Sequence, residues 1–309
     1  MARLVHLKDI DHNPNTVVTV GTFDGVHEGH RALMEAVVEK AKKRDARSVV
    51  VTFDPHPRTI ISTRGESIKL LTSLEERAEI LESFGIDILL VIPFTRDFSL
   101  LSSEEFVKDI IYQKVGISEF VIGYDHHFGR DRSGTIETLE KLASRIAFDV
   151  HVVSKREMGD ITISSTVIRK ELLENGDIGT ATKLLGRPYF LNGVVIHGDE
   201  RGRLIGFPTA NLQPQHKDKI IPKNGIYAVK VRVDEERYGG MMNIGIRPTF
   251  DGSTKTLEVN IFDFKESIYG KTIQIQFISR IRDEKKFDGA EELAAQLEED
   301  KLSAKRMLG

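Results

Sequence analysis

The sequence predicts an α/β protein with an N-terminal doubly wound parallel sheet and a C-terminal antiparallel β-barrel with a closing helix. In the first part, apolar β-branched runs alternate with helical patterns, which is typical of a parallel sheet covered on both faces. After Leu185, β-rich runs are broken by glycine without intervening helices, which is typical of an antiparallel barrel. This change of pattern predicts two domains, residues 1–184 and 185–309.

Length and composition agree with two soluble domains. A chain of 309 residues is long enough for two cores of about 150 residues each, and 40% of its residues are hydrophobic. The balance of 44 basic and 47 acidic residues gives no reason to expect a nucleic acid or a membrane surface as partner. The absence of cysteine excludes disulfides and thiolate metal sites and fits a reducing compartment. We expect a cytoplasmic protein that acts on small molecules, with its oligomeric state open.

The first part carries five predicted strands and four predicted helices. The strands are Thr16–Val20, Ser48–Phe53, Ile88–Ile92, Glu119–Ile122 and Asp149–Val153. The helices are Arg31–Lys43, Ser73–Phe84, Ser103–Lys114 and Gly134–Ala147, with Ser73 and Ser103 as candidate N-caps. Ligands of such sheets bind beyond the carboxyl ends of the strands, so the residues that follow each strand are the first candidates for a site.

The second part carries five predicted strands and one helix. The strands are Tyr189–His197, Ile226–Val233, Gly239–Gly245, Thr256–Phe264 and Thr272–Ile278. The segment Ala290–Leu302 places Leu293 and Leu297 on one face, which predicts an amphipathic helix that closes the barrel.

A glycine-rich segment, Gly21–His30, joins the first strand to the first helix. Unpaired backbone N–H groups and the helix dipole make such a turn a binding site for anions. His27 and His30 are three residues apart, so their side chains should point the same way. The candidate phosphate-binding residues of the turn are Gly21, Phe23, Asp24, Gly25 and Gly29. Taken alone, the segment is better interpreted as a helix-capping turn with hydrogen-bonded histidines.

Three further segments strengthen the first interpretation. Asp54–Pro57 follows the second strand, Gly123–Arg130 follows a later strand, and Ile163–Arg169 begins another helix with hydroxyls and a basic residue. Together with the glycine turn they resemble the nucleotidyltransferase superfamily that carries HxGH and ISSTxxR motifs. In that superfamily a phosphate attacks the α-phosphate of a nucleoside triphosphate and pyrophosphate leaves.

The resemblance implies roles for these residues. His27 and His30 would bind the triphosphate, and phosphates would also be held by the second motif, at Ser164, Ser165, Thr166 and Arg169. The attacking group is already an anion, so catalysis requires alignment and charge stabilisation rather than a protein nucleophile. Asp24 either helps to position a magnesium-bound triphosphate or orders the loop, and the sequence leaves both roles open.

A second glycine-rich segment spans residues 198–211. Glycines at 198, 202 and 206 allow the backbone to approach a phosphate closely. Thr209 and Asn211 offer neutral oxygens two residues apart, which suits magnesium shared with phosphate oxygens. The candidate phosphate-binding residues are Gly198, Arg203, Gly206 and Pro208. The alternative is a hairpin loop in which Asn211 satisfies a turn.

Downstream segments favour a phosphate site. Pro222–Tyr227, Asn243–Phe250, Leu257–Phe264 and Ile281–Phe287 resemble the riboflavin kinase family. That resemblance implies that Glu258 accepts the proton of the ribityl 5′-hydroxyl and that Thr209 and Asn211 coordinate magnesium. A neutral alcohol, unlike a phosphate, must lose a proton during transfer, so a base is chemically required.

The order of the two halves resembles the prokaryotic bifunctional riboflavin kinase/FAD synthetase family along nearly the whole chain. The resemblance implies ATP as co-substrate, Mg²⁺ as the metal, and riboflavin, FMN and FAD as substrates and products. The candidate flavin-binding residues are Asp54, His56, Gly123, Asp125, His126, Phe128, Arg282 and Phe287.

Two positions depart from the family pattern. His126 stands where phenylalanine is usual, and Asn260 stands where histidine is common; the asparagine can donate hydrogen bonds but cannot titrate. Three alternatives therefore stay open at this point: an enzyme with one working site, a flavin-binding sensor without turnover, and a nucleic-acid-binding barrel, which the charge balance disfavours.

Overall fold

A computed structural model describes residues 2–62, 68–124, 128–130, 133–154, 163–198, 202, 206–249 and 252–309, without the side chains at 247–249 and 252–254. The chain divides into two compact units, Met1–Ser164 (unit 1) and Ser165–Gly309 (unit 2). The predicted fold class is confirmed: unit 1 is built on a parallel sheet, and unit 2 contains a closed antiparallel barrel followed by a C-terminal helix.

The described residues of unit 1 form one parallel sheet of six strands in the order β1-β4-β3-β2-β5-β6. The strands are β1 Arg3–His6, β2 Thr16–Val20, β3 Arg47–Asp54, β4 Ile88–Pro93, β5 Glu119–Gly123 and β6 Asp149–Val153. All five strands predicted for this part are present. The edge strand β1 was not predicted, because it has only four residues and only Val5 is buried in it.

The described helices of unit 1 lie between these strands. They are α1 Glu28–Arg44, α2 Pro57–Ile61, α3 Leu74–Phe84, α4 Ser103–Glu105 with its π-helical continuation Phe106–Val115, and α5 Ile136–Ile146. Ser73 caps α3 in a capping box with Glu76, as predicted. The predicted cap of α4 was wrong by one residue: Ser102, not Ser103, accepts the Glu105 N–H, because Glu105 stands three residues after Ser102.

The core of unit 1 forms where helices pack on the faces of its sheet. All five residues of β2 are buried, as a strand covered on both faces requires. On one face, Val18 and Phe120 pack with Phe106 and Ile111 of α4. The rigid sheet therefore fixes the carboxyl ends of β2, β3 and β5, where the predicted site residues lie.

Unit 2 begins with two helical segments before its barrel. These are α6 Ser165–Lys170, which continues as the π-helical turn Glu171–Asn175, and α7 Ile178–Leu185. Leu172 accepts a backbone hydrogen bond from Lys223 at 2.8 Å, and α7 contacts a barrel strand. Gly176 has a φ of +67° and lies against the Arg280 side chain, where a Cβ would come within 2.9 Å of Nε. The segment is thus packed as part of unit 2, while the domain boundary at 184/185 stays a prediction.

The described part of the barrel has six antiparallel strands in the closed order β10-β11-β8-β7-β12-β9. They are β7 Phe190–Ile196, β8 Ala210–Pro214, β9 Gly225–Val233, β10 Glu236–Thr249, β11 Gly252–Ile261 and β12 Thr272–Arg282. The five predicted strands are present, and β8 is additional, because its sequence lacks β-branched residues. The last helix, α8 Ala290–Leu308, extends six residues beyond the predicted end at Leu302, and its buried Ala304 packs with Phe207 and Met241.

A fragment of residues 165–309 is expected to unfold at a higher temperature than one of residues 185–309. The shorter fragment lacks Leu172, Ile178, Ala181 and Leu184, all at most 1% exposed. Each buried leucine or isoleucine contributes about 1.5–3 kcal/mol, so the melting temperatures should differ by more than about 10 °C. Thermal unfolding followed by circular dichroism measures this. Equal melting temperatures would show that the helical segment contributes nothing to unit 2.

Candidate active sites

The β2–α1 loop (residues 21–27) brings the two histidines of the first motif together. His27 is the N-cap residue of α1, with an extended backbone, and His30 lies in the first turn. Their rings stack with centroids 3.7 Å apart and planes 17° apart. The Phe23 ring meets the His30 ring edge-on at 5.1 Å. Both imidazoles therefore point the same way at the N-terminus of a helix, as their spacing predicts.

The backbone of this loop is held in disfavoured conformations. Phe23 and Val26 have φ values of 45° and 39°, in the left-handed region, and Gly25 has a φ of 87°. A non-glycine residue in such a conformation costs about 1–3 kcal/mol and persists only where its surroundings fix it. A Cβ at Gly21 would lie 2.8 Å from the Phe23 ring, and one at Gly29 would lie 3.0 Å from the His27 ring. The two glycines thus admit the aromatic rings.

Asp24 ties the loop to the chain segment before α3. Its carboxylate accepts the backbone N–H groups of Leu71 and Thr72, each at 3.0 Å, and the residue is 1% exposed. The Thr72 hydroxyl in turn accepts the Gly25 N–H at 3.0 Å. A buried carboxylate saturated in this way acts as an anchor. Of the two roles that the sequence leaves open for Asp24, this geometry supports ordering of the loop.

The predicted flavin residues of unit 1 fall into three groups. Asp54 and Gly123 lie where β3 and β5 end, and the His56 side chain caps α2 by accepting the Arg58 N–H at 3.2 Å. Phe128 is 7% exposed and stacks on Phe120 in the core at 6.2 Å, so its ring is a packing element here rather than an open platform. Asp125 and His126 lie outside the described residues.

Sequence reasoning missed an aromatic cluster at the carboxyl ends of β3 and β4. The rings of Phe53, Phe94 and Phe98 contact one another with centroids 5.5–5.9 Å apart. Leu100, in the short 3₁₀ helix that follows β4, is 57% exposed. A run of phenylalanines directly after a predicted strand was the available signal.

The ISSTxxR motif is divided between the compact units. Ser164 ends unit 1, while Ser165, Thr166 and Arg169 lie on α6 in unit 2. Thr166 is exposed, and Ser165 and Arg169 are half-buried. The predicted helix at this motif is confirmed.

The barrel places Glu258 beside Asn211. In the strand register, Glu258 on β11 is opposite Asn211 on β8 and opposite Asn243 on β10. Directly opposed residues on neighbouring antiparallel strands project from the same face with their Cβ atoms about 4.5–5.5 Å apart. The predicted base and one predicted metal ligand, 47 residues apart in sequence, are therefore direct neighbours.

Two glycines of this segment allow contacts that any larger residue would block. A Cβ at Gly198 would lie 2.0 Å from the Asn211 Nδ2, so only glycine leaves room for that amide. A Cβ at Gly202 would lie 2.2 Å from the carbonyl oxygen of Phe207. The Phe207 N–H donates to the Gly202 carbonyl at 2.8 Å. Gly206 has a φ of +81°, and Arg203 lies outside the described residues.

Asn260 positions the backbone next to Thr209. It is 8% exposed, and its Nδ2 donates to the Pro208 carbonyl at 2.7 Å. The residue two positions after Glu258 therefore links β11 to the segment that carries both predicted metal ligands. An asparagine supplies the required N–H donor without titrating.

One predicted flavin residue of unit 2, Arg282, is bonded to α8. Arg282 donates through Nε and Nη2 to Asp300, at 2.8 and 2.6 Å, and Asp300 is 1% exposed. The Arg282 guanidinium also faces the Phe287 ring at 5.7 Å. The neighbouring Arg280 donates to Asp283 and lowers the pKa of that carboxyl. Much of the hydrogen-bonding capacity of Arg282 thus holds α8 to the barrel.

Comparison with known proteins assigns each part of the chain to a family. Residues 9–167 match the FAD synthetase family, and residues 185–308 match the riboflavin kinase family. The chain belongs to the bifunctional riboflavin kinase/FMN adenylyltransferases. Enzymes of that name are 42% identical in Listeria monocytogenes (93% of this chain, 90% of the relative) and 39% identical in Bacillus subtilis (94% and 92%). The Escherichia coli enzyme is 36% identical (95% and 93%).

A solved structure has the same fold over its whole length. It belongs to a Streptococcus pneumoniae protein described as a macrolide-efflux protein, with 34% identity, a TM-score of 0.89 and 98% of both chains covered. Within the part of the chain that the present structure describes, none of the helices combines the length and apolar character that a membrane crossing requires.

The activities follow from family membership. The enzyme phosphorylates riboflavin to FMN with ATP and transfers an adenylyl group from ATP to FMN, which yields FAD. ATP and the flavins are its small-molecule substrates and products.

Replacing Asn260 by aspartate is expected to impair the kinase selectively. The change keeps the size of the side chain but removes the N–H donor and sets a carboxylate against the Pro208 carbonyl. A hydrogen bond of this kind is worth about 0.5–1.5 kcal/mol, so the KM for ATP in riboflavin phosphorylation should rise by about two- to twelvefold. FMN adenylylation by the same preparation is the internal control. An unchanged KM for ATP would contradict the positioning role of Asn260.

Proposed function

We propose that the two transfers occur at the two sets of residues described above and that they use different chemistry. The kinase relies on a base, and the adenylyltransferase relies on alignment and charge stabilisation. The observation that carries this division is the register that pairs Glu258 with Asn211, because a base is needed where the nucleophile is an alcohol.

In the kinase step, the oxygen of the ribityl 5′-hydroxyl attacks the γ-phosphate of ATP, and Glu258 accepts the proton of that hydroxyl. The bond between that phosphorus and its bridging oxygen breaks, and ADP leaves. We assign phosphate binding to Thr209 and to Asn211, whose amide lies against Gly198 and whose position on β8 is opposite Glu258. Gly198, Arg203, Gly206 and Pro208 belong to the segments that we assign to ATP.

The side chains of Thr209 and Asn211 fit a magnesium ion. Mg²⁺ prefers oxygen ligands and is usually bound through one or two protein groups together with substrate phosphates and water. The Asn211 amide packs closely against Gly198, and this contact restricts the orientation of the side chain. The ion would neutralise phosphate charge, while the protein residues orient the donor.

In the adenylyl transfer, an oxygen of the FMN phosphate attacks the α-phosphate of ATP and pyrophosphate leaves. The stacked His27 and His30 bind the triphosphate and stabilise the leaving group. On the sequence motif alone, we also assign phosphate binding to Ser164, Ser165, Thr166 and Arg169. No proton has to be removed from the nucleophile. Preorganised donors aimed at developing charge are the main source of catalysis in such a site.

The enzyme acts in the cytoplasm. Its use of ATP as donor and the absence of cysteine from the chain both fit that location.

Incubation with riboflavin, ATP and magnesium should yield FAD through FMN. Two ATP molecules should be consumed for each FAD, one giving ADP and the other giving pyrophosphate. Separation of riboflavin, FMN and FAD by chromatography, with assays for ADP and pyrophosphate, measures this. Accumulation of FMN alone would contradict two working sites.

Glu258→Gln should abolish most kinase turnover. The amide keeps the shape and much of the hydrogen bonding but cannot accept a proton, so kcat should fall by about two to four orders of magnitude. Riboflavin binding and adenylylation of supplied FMN should persist. The same change at the exposed Glu235 is the matched control. Phosphorylation by Glu258→Gln at a near wild-type rate would exclude Glu258 as the base.

A further inference from the structure

Arg77 of α3 is a buried cation outside every motif considered so far. Its side chain is 4% exposed, and its Nη2 lies 3.7 Å from the Asp24 carboxylate, which is itself 1% exposed. A charge in the protein interior is tolerated only when it is paired and hydrogen-bonded. Because Arg77 has almost no accessible surface, it cannot itself contact a nucleotide, and any influence on the reaction must pass through its neighbours.

Those neighbours belong to the β2–α1 loop and to its supports. Arg77 Nη1 donates to the Thr52 hydroxyl at 2.8 Å, and that hydroxyl donates to the Thr22 carbonyl at 3.0 Å. Arg77 Nη2 also donates to the Thr72 carbonyl at 3.3 Å. Thr72 is the residue whose N–H and hydroxyl meet Asp24 and Gly25. One guanidinium group is therefore linked by hydrogen bonds to two points of the loop. Thr52 of β3 connects it to Thr22, and Thr72 connects it to Asp24.

The loop needs such support. Phe23 and Val26 have left-handed backbones, so the loop keeps its shape only while its contacts over-determine it. Phe23 lies between the two supported points and packs edge-on against the His30 ring at 5.1 Å. A shift of the loop would consequently move His30, the imidazole to which we assign triphosphate binding.

We propose that Arg77 is a positioning residue of the FMN adenylyltransferase site. Its planar fork sets the β2–α1 loop for ATP through Thr52 and Thr72 and, through Phe23, orients His30. The proposal rests on the proposed role of the loop and of His30 in binding the triphosphate. It predicts a rise in the KM for ATP in FMN adenylylation. This rise is separable from any change in the KM for FMN, in the kinase constants or in stability.

Thr52→Val is the decisive variant. Valine has nearly the same shape and favours a strand, but it cannot bridge Arg77 to the Thr22 carbonyl. We expect the KM for ATP in FMN adenylylation to rise at least fivefold, with the KM for FMN and both kinase constants within twofold of wild type. Arg77→Met should raise the KM for ATP further, and Arg77→Lys, which keeps the charge but not the fork, should fall between wild type and Arg77→Met.

Ser48→Ala is the matched control, since it also removes a buried hydroxyl from β3. The Ser48 hydroxyl bonds to the Asp87 carboxylate at 2.7 Å, at the opposite end of the strand. It should leave the KM for ATP within twofold of wild type, at whatever cost in melting temperature. Equal changes in Thr52→Val and Ser48→Ala, no change in Thr52→Val, or equal rises in the KM values for ATP and FMN would each overturn the proposal.

His30→Ala separates this proposal from the assignment on which it rests. A large loss of FAD synthesis in His30→Ala, with a normal KM for ATP in Thr52→Val, would refute only the positioning role of Arg77. Normal FAD synthesis in His30→Ala would refute triphosphate binding by His30, together with any positioning of that ring.

Discussion

The buried carboxylate of Asp24 holds the β2–α1 loop in a conformation that its own backbone disfavours. Its two N–H donors come from Leu71 and Thr72, 47 and 48 residues further along the chain. Without this anchor, the left-handed Phe23 and Val26 would relax, and the aromatic contact to His30 would be lost. The stacked histidines at the start of α1 therefore depend on an ion pair and a set of hydrogen bonds that contain no imidazole. The parallel sheet matters to the site mainly because β2 fixes the start of this loop and β3 carries Thr52, which donates to the Thr22 carbonyl.

The barrel builds its site in a different way. Antiparallel register alone brings Glu258 to Asn211, and barrel closure prevents the strands from sliding past one another. The segments before β8 are positioned by steric fit and by a hydrogen bond. Gly198 leaves space for the Asn211 amide, and Asn260 donates to the Pro208 carbonyl. The two halves of the enzyme thus reach preorganisation by separate means, a buried charge network in unit 1 and strand register in unit 2.

The difference between the sites follows from their nucleophiles. A ribityl hydroxyl needs a group that can take its proton, and a carboxylate on a rigid strand can be aimed at it. In the proposed adenylyl transfer, the phosphate of FMN carries its negative charge already, so the residues assigned to this step have only to hold anions against one another. Helix N-termini, imidazoles and hydroxyls are suited to that task, and a general base would add little.

By itself, the sequence was sufficient for whatever depends on residues close together in the chain. Apolar runs and their breaks predicted all five strands named for each part. Residue type predicted the Ser73 cap, and a spacing of three residues predicted the common direction of His27 and His30. Local pattern failed where the signal was short or ambiguous. Strand β1 has one buried residue, and β8 has no β-branched residue.

Only the tertiary structure decided the roles that depend on distant partners. Asp24 could have faced a metal or the protein interior, and the N–H groups of Leu71 and Thr72 settle the direction of its carboxylate. Phe128 belongs to a motif, yet it packs on Phe120 in the core. Arg77 belongs to no motif, and only the folded chain brings its guanidinium to Asp24. Burial and long-range hydrogen bonds are properties of the packed chain, which no local pattern of residues encodes.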